Sequence, residues 1–155
     1  MMPLAESVTV SMRAPAREVW ALVSDVTRIG EFSPETLAGR WIGGATGPAV
    51  GAKFQGHVKR NGRGPMYWTS CRVVECEPER VFAFVVEAPG TSGVNTWRYA
   101  LRANEAATEV TESFALSDSL IIRAYWTLFG ARRTKTNVRG MRQTLERIRA
   151  VVEAI

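Results

Sequence analysis

A single histidine and two cysteines leave this chain few ways to hold a metal ion. His57, Cys71 and Cys76 do not have zinc-finger spacing, so neither a metal site nor a cofactor is expected. On one continuous strand the two cysteines would lie roughly 17 Å apart on opposite faces. A disulfide needs Cα atoms within about 7 Å. Both are therefore read as free thiols of a reducing compartment. No run of about 18 or more apolar residues occurs, so no transmembrane helix is expected. The opening Met1-Met2-Pro3-Leu4-Ala5-Glu6 lacks a basic n-region and an apolar h-region. No secretory signal is expected, and a cytoplasmic location follows. The glycine clusters do not form a phosphate loop. In Gly47-Pro48-Ala49-Val50-Gly51-Ala52-Lys53 the lysine is misplaced and no Ser or Thr follows it. Gly62-Arg63-Gly64-Pro65-Met66-Tyr67 has no third glycine and leads into no helix. A nucleophile elbow of the form G-x-S-x-G is also missing.

What is present is apolar and ordered. Hydrophobic residues make up 46% of 155, enough for a real core in one ligand-binding domain spanning residues 1–155. The net charge is +5, and much of the excess sits at Arg132, Arg133, Lys135, Arg139, Arg142, Arg147 and Arg149. That run reads first as the solvated face of a helix. No aromatic residue follows Phe129, so stacking platforms for single-stranded nucleic acid are lacking and no nucleic-acid partner is expected.

Residues 6–13 alternate Val8, Val10 and Met12 against Thr9 and Ser11, the pattern of a half-buried strand. Pro15 suits a first helical turn, and Val19, Leu22 and Val23 form one apolar helical face. Asp25 is placed to cap a second short helix around Thr27 to Glu31. Strand-like runs follow near 37–43, 51–60, 66–76, 80–87, 94–102 and 107–116, joined by Gly- and Pro-rich turns. With no room for crossover helices, they predict an antiparallel meander. Ser117 or Asp118 is read as the cap of an apolar helical piece from Leu120 to Phe129, and Gly130 as a break or kink. From Lys135 on, Val138, Met141, Leu145, Ile148 and Val152 recur at helical spacing and predict an amphipathic helix.

Several segments resemble one family in the same order. Ala14-Pro15-Ala16-x-x-Val19-Trp20-x-Leu22-x-Ser24-Asp25 resembles the opening of the START-like (SRPBCC) superfamily, in its polyketide cyclase/dehydrase and lipid-transport group. Phe32-Ser33-Pro34-Glu35, Gly51-x-x-Phe54-x-Gly56 and the stretch from Trp68 to Phe84 are similar to its next segments. Trp97-x-Tyr99-x-Leu101, Thr108-x-Val110-Thr111-Glu112 and Gly140-Met141-x-x-Thr144-Leu145-x-x-Ile148 resemble its last strands and terminal helix. The resemblance implies an α+β helix-grip fold. In that fold a curved antiparallel sheet of seven strands wraps a long C-terminal helix, with two short helices after strand 1. It also implies a deep cavity for lipids, sterols, hormones or polyketides, on which a minority of members act as cyclases or aromatases.

Aromatic residues on the strands supply candidate walls for such a cavity: Phe54, Trp68, Phe84, Trp97, Tyr99 and Phe114, with Trp126 from the helical region. Ser70 and Glu112 are the candidate polar contacts. Glu112 shares strand parity with Val110, Phe114 and Leu116, so a carboxyl among apolar neighbours would have a raised pKa or a cation such as Arg72 or Arg98 beside it. Trp68 and Ser70 have the opposite parity to Cys71 and Val73, and a bulge would be needed to bring Trp68 and Val73 to one face. The leading expectation is a carrier or sensor of a small hydrophobic ligand: lipid, fatty acid or polyketide-like. The alternative is a cyclase or dehydratase using Glu112, or less readily His57, as acid or base. A third reading makes Ile121 to Phe129, followed by Arg132-Arg133, a peripheral membrane or partner contact. The segment from Leu120 to Phe129 reads equally as a lid, a dimer contact or buried core. A monomer and a homodimer both fit.

Overall fold

The computed structural model describes residues 5–59, 65–87, 95–116 and 120–154, with the backbone alone along 120–136. Strand β1 (Ala5–Met12) leads into helix α1 (Ala16–Val23) and a 3₁₀ turn (Val26–Glu31). Strands β2 (Thr36–Ile42), β3 (Lys53–Val58), β4 (Tyr67–Glu77), β5 (Val81–Glu87), β6 (Asn95–Ala103) and β7 (Thr108–Leu116) follow, then helix α2 (Leu120–Glu153). The strands form one antiparallel sheet in the order β1-β7-β6-β5-β4-β3-β2. The arrangement is the α+β helix-grip fold that the resemblance implied, with a curved seven-stranded sheet around the last helix.

Local chemistry accounts for the opening elements. Along β1, Val8, Val10 and Met12 are buried, while Thr9 meets Thr111 across the outer face with its hydroxyl 2.8 Å away. Pro15 stands one position earlier than expected, as the N-cap of α1. Asp25 caps the 3₁₀ turn by accepting from the Thr27 amide at 3.0 Å. Val19, Leu22 and Val23 sink into a core shared with Met12, Phe82, Leu101 and Val110 and with Leu145, Ile148 and Val152 of α2. Two long-range ties hold this end. The Thr108 hydroxyl donates to the Ala14 carbonyl at 2.7 Å, and the Glu153 carboxylate at the end of α2 accepts from the Arg13 amide at 2.9 Å.

Three expectations need correcting. Helix α2 runs through Gly130 as one element, with no break there. One glycine in a helix interior costs only about 1 kcal/mol, too little by itself to end a long helix. The register slips between Val73 and Glu75, a bulge that places Cys71, Val73 and Cys76 on the core side together. The cysteines are thus not on opposite faces, yet both are free. Because the bulge follows Val73, it leaves Trp68 on the outer face. The proposed cap at Ser117 or Asp118 lies outside the described residues.

The 3₁₀ turn lies directly on β2, and only glycine allows the approach. A Cβ at Gly39 would run into the Val26 carbonyl, and one at Gly30 into the Leu37 carbonyl. Backbone atoms on both sides leave no flexible side chain to yield. Gly39→Ala is expected to destabilise the fold by about 1–3 kcal/mol, read as a lowered urea midpoint with unchanged slope. A midpoint equal to wild type would show that the turn and β2 are not packed this closely.

Candidate functional site

The core described above fills only one end of the space between sheet and helix. Towards β3–β6 the sheet and α2 separate around a cavity of about 680 Å³. Its apolar wall includes Phe54, Phe84, Val86, Trp97 and Met141. Phe54 and Phe84 meet edge to face at 5.0 Å between centroids. That volume lies within the range of small-molecule sites.

Parity decides which candidates reach it. On β6 and β7, Trp97 pairs with Phe114 and Tyr99 with Glu112, so all four point to the helix side. Phe54, Phe84, Trp97, Tyr99 and Glu112 line the cavity. Phe114 does not. It is buried behind Trp97, with ring centroids 4.7 Å apart, and supports that ring. Trp68 and Ser70 border the cavity, but their side chains stand on the opposite side of β4 from Thr69 and Cys71. Trp68 is 43% exposed and stacks on His57 at 4.5 Å, with the Arg40 guanidinium 4.2 Å from its ring centre. His57 is not among the residues that line the cavity. The side chain of Trp126, and those of the whole proposed lid from Leu120 to Phe129, lie outside the described residues.

Glu112 is the most distinctive group. It is 3% exposed, and its Oε2 accepts the Tyr99 hydroxyl at 3.0 Å. Neither expected cation is beside it: Arg98 pairs with Glu75 at 2.8 Å and Arg72 with Glu87 at 3.8 Å, both near the surface. Burial pushes the Glu112 carboxyl up to about 8, against the opposing pull of the Tyr99 hydrogen bond. Burial and the neighbouring Glu112 also push the Tyr99 phenol well above its usual value. The carboxyl is thus a neutral acid at pH 7, and its Oε1 has no hydrogen-bond partner among the described residues.

A second polar group was not among the sequence candidates. Asn137 on α2 lines the same cavity, is 3% exposed, and has no partner among the described residues for either its Oδ1 or its Nδ2. Buried amides are normally paired, so this arrangement is costly. One sequence signal pointed to it: Asn137 precedes Met141 by four residues, on the helical stripe that otherwise packs the core. Thr144, one turn beyond Gly140, satisfies itself by donating to the Gly140 carbonyl at 2.8 Å. The charged residues of the described wall are Glu35, Glu87 and Glu112, with no lysine, arginine or histidine among them. No cluster of three or more potential metal ligands occurs among the described residues.

The glycine-rich stretch between β2 and β3 turns on Gly43, Gly44 and Gly51, all with positive φ, and leads into a strand, as a turn would. No described helix is long and apolar enough to cross a membrane.

Comparison with known proteins agrees with this architecture. The family described as polyketide cyclase/dehydrase and lipid transport matches residues 4–153. A polyketide-cyclase-like protein from Corynebacterium glutamicum, solved by NMR, is 29% identical with a TM-score of 0.56, over 99% of this chain and 89% of that one. A START superfamily protein from Mycobacterium smegmatis superposes with a TM-score of 0.74 at 14% identity, over 97% of each chain. The di-domain ARO/CYC protein of the steffimycin biosynthetic pathway gives 0.74 at 12% identity, over 97% of this chain and 51% of its own length. None of the curated proteins matches the sequence. With its sheet, its terminal helix and the cavity between them, the chain belongs to the polyketide cyclase/dehydrase and lipid-transport family.

Proposed function

We propose that this protein binds a small, mostly apolar molecule in the cavity between the sheet and α2. The supporting observation is a cavity of about 680 Å³ whose aromatic wall is interrupted by buried polar atoms of Glu112 and Asn137 without partners. A core evolved only for stability would carry apolar side chains at those positions, because an unpaired buried polar group costs roughly 1–3 kcal/mol. A ligand that pairs with them recovers that cost on binding. Native mass spectrometry and solvent extraction of the purified protein are expected to find a co-purified lipid-like molecule. A protein that carries none and takes up no neutral apolar fluorophore would overturn the reading.

A second reading, a cyclase or dehydratase, is favoured by one specific feature. A carboxylic acid that keeps its proton at pH 7, hydrogen-bonded to a phenol inside an apolar cavity, has the properties of a general acid. Under that reading Glu112→Gln abolishes turnover of a polyketide-like substrate and keeps its binding. Under the carrier reading no turnover is found with either protein.

Both readings require Glu112 to be neutral, and stability reports its protonation independently of any ligand. In the unfolded chain the carboxyl loses its proton near 4.5; in the folded protein it holds it to about 8. Between these values the unfolded state binds fewer protons, so the stabilisation present in full below about 4.5 falls as pH rises and is lost by about 8. The change is on the order of a few kcal/mol. Glu112→Gln is expected to flatten this fall in urea titrations at pH 5, 6, 7 and 8. Parallel pH profiles for the variant and wild type would show that the carboxyl is ionised throughout.

A further inference from the structure

The walls of the cavity carry more information than its apolar character, because their polar atoms specify a ligand headgroup. This step rests on the binding reading above and deepens it. On the sheet side, the Tyr99 hydroxyl donates to Glu112 Oε2. A neutral carboxyl engaged at that oxygen places its own proton on Oε1, which has no partner among the described residues of this cavity-lining side chain. The sheet wall thus offers a donor. On the helix side, Asn137 offers an amide donor through Nδ2 and an acceptor through Oδ1, both without partners. Two donors from opposite walls suit one oxygen that accepts twice, as a carbonyl oxygen does with its two lone pairs. The remaining Asn137 Oδ1 suits a hydroxyl beside that carbonyl.

The charge on the wall points the same way. Glu35, Glu87 and Glu112 are its charged residues among those described, and no cation faces the cavity from them. A carboxylate or phosphate headgroup entering here would lose its hydration and meet no positive charge from the described residues, which is unfavourable. Apolar ligands with anionic heads are usually met by arginine or lysine, and three described arginines of β2, β4 and β6 are engaged elsewhere: Arg72 with Glu87, Arg98 with Glu75, and Arg40 with Gln55 and the Trp68 ring.

We propose that the ligand is a neutral, largely apolar carbonyl compound, with a hydroxyl next to the carbonyl, clasped between Glu112 on β7 and Asn137 on α2, and that the cavity discriminates against anionic heads such as fatty-acid carboxylates. On this proposal fatty acids, among the ligands expected from the sequence, bind less well than neutral carbonyl compounds.

Three naphthalene probes of similar size separate the contributions: 1-hydroxy-2-acetonaphthone, 1-hydroxy-2-naphthoate and 2-ethylnaphthalene. Each is titrated at pH 7 against N-phenyl-1-naphthylamine bound to the full chain, with displacement read by fluorescence. The hydroxyketone is expected to displace the dye at least ten-fold better than either the carboxylate or the hydrocarbon. Asn137→Leu is expected to weaken the hydroxyketone about ten-fold and leave the hydrocarbon unchanged or tighter. This variant replaces an unpartnered amide by an apolar group of similar size, so its folding, checked by circular dichroism and urea, is expected to hold or improve. Glu112→Gln, which removes the acid and retains a hydrogen-bonding group, is the second variant and is expected to narrow the preference over the hydrocarbon. Carboxylate binding equal to or tighter than the hydroxyketone would overturn the proposal, as would a preference unchanged in folded Asn137→Leu. In both cases dye binding persists and the broader binding reading stands. Failure of the wild-type protein to bind the dye or any probe would remove both.

Discussion

A seven-stranded sheet has one face to cover and a single long helix with which to cover it. Six inter-strand spacings make the sheet about 30 Å across, whereas a helix with its side chains is only about 10 Å wide. Curvature and α1 close the difference at one end, where β1, β7 and β6 meet Leu22, Leu145, Ile148 and Val152 in a solid core. At the other end they do not, and the sheet from β3 to β6 faces a cavity. The cavity is therefore a consequence of the ratio between the two elements. It persists because the solid end carries the stability.

The helix changes character along its length in step with this division. Its C-terminal turns place Leu145, Ile148 and Val152 in the core, and Glu153 ties the end to Arg13. One to two turns earlier the same stripe carries Asn137, Gly140 and Thr144 against the cavity. The sheet shows the same transition on β7, where Val110 is fully buried in the core and Glu112, two residues on, is the acid of the cavity. A buried carboxyl with one unpaired oxygen and a buried amide without partners among the described residues both lower stability.

Much of the fold was legible from local pattern. Alternation located all seven strands to within a few residues, and helical spacing located the terminal stripe, because both are properties of backbone geometry that neighbouring residues express directly. Glu112 was legible for the same reason: its parity with Val110, Phe114 and Leu116 already placed it on an apolar face. The failures have equally physical causes. A bulge after Val73 shifted Cys76 to the core side and left Trp68 stacked on His57 outside, and a one-residue slip reverses every side chain beyond it. Gly130 did not interrupt α2, because the penalty of a single interior glycine, about 1 kcal/mol, is small beside the hydrogen bonding of a long helix.

The sequence by itself determined the order of elements, their inward and outward faces, and the family to which they belong. Only the tertiary structure decided the partners. Tyr99 meets Glu112 because β6 and β7 pair in one register, and Asn137 faces the same space because α2 lies across the sheet. Arg72 and Arg98, the cations expected beside Glu112, are engaged instead by Glu87 and Glu75 near the surface. Periodicity tells which way a side chain points, but what it points at depends on how the sheet curves and where the helix comes to rest.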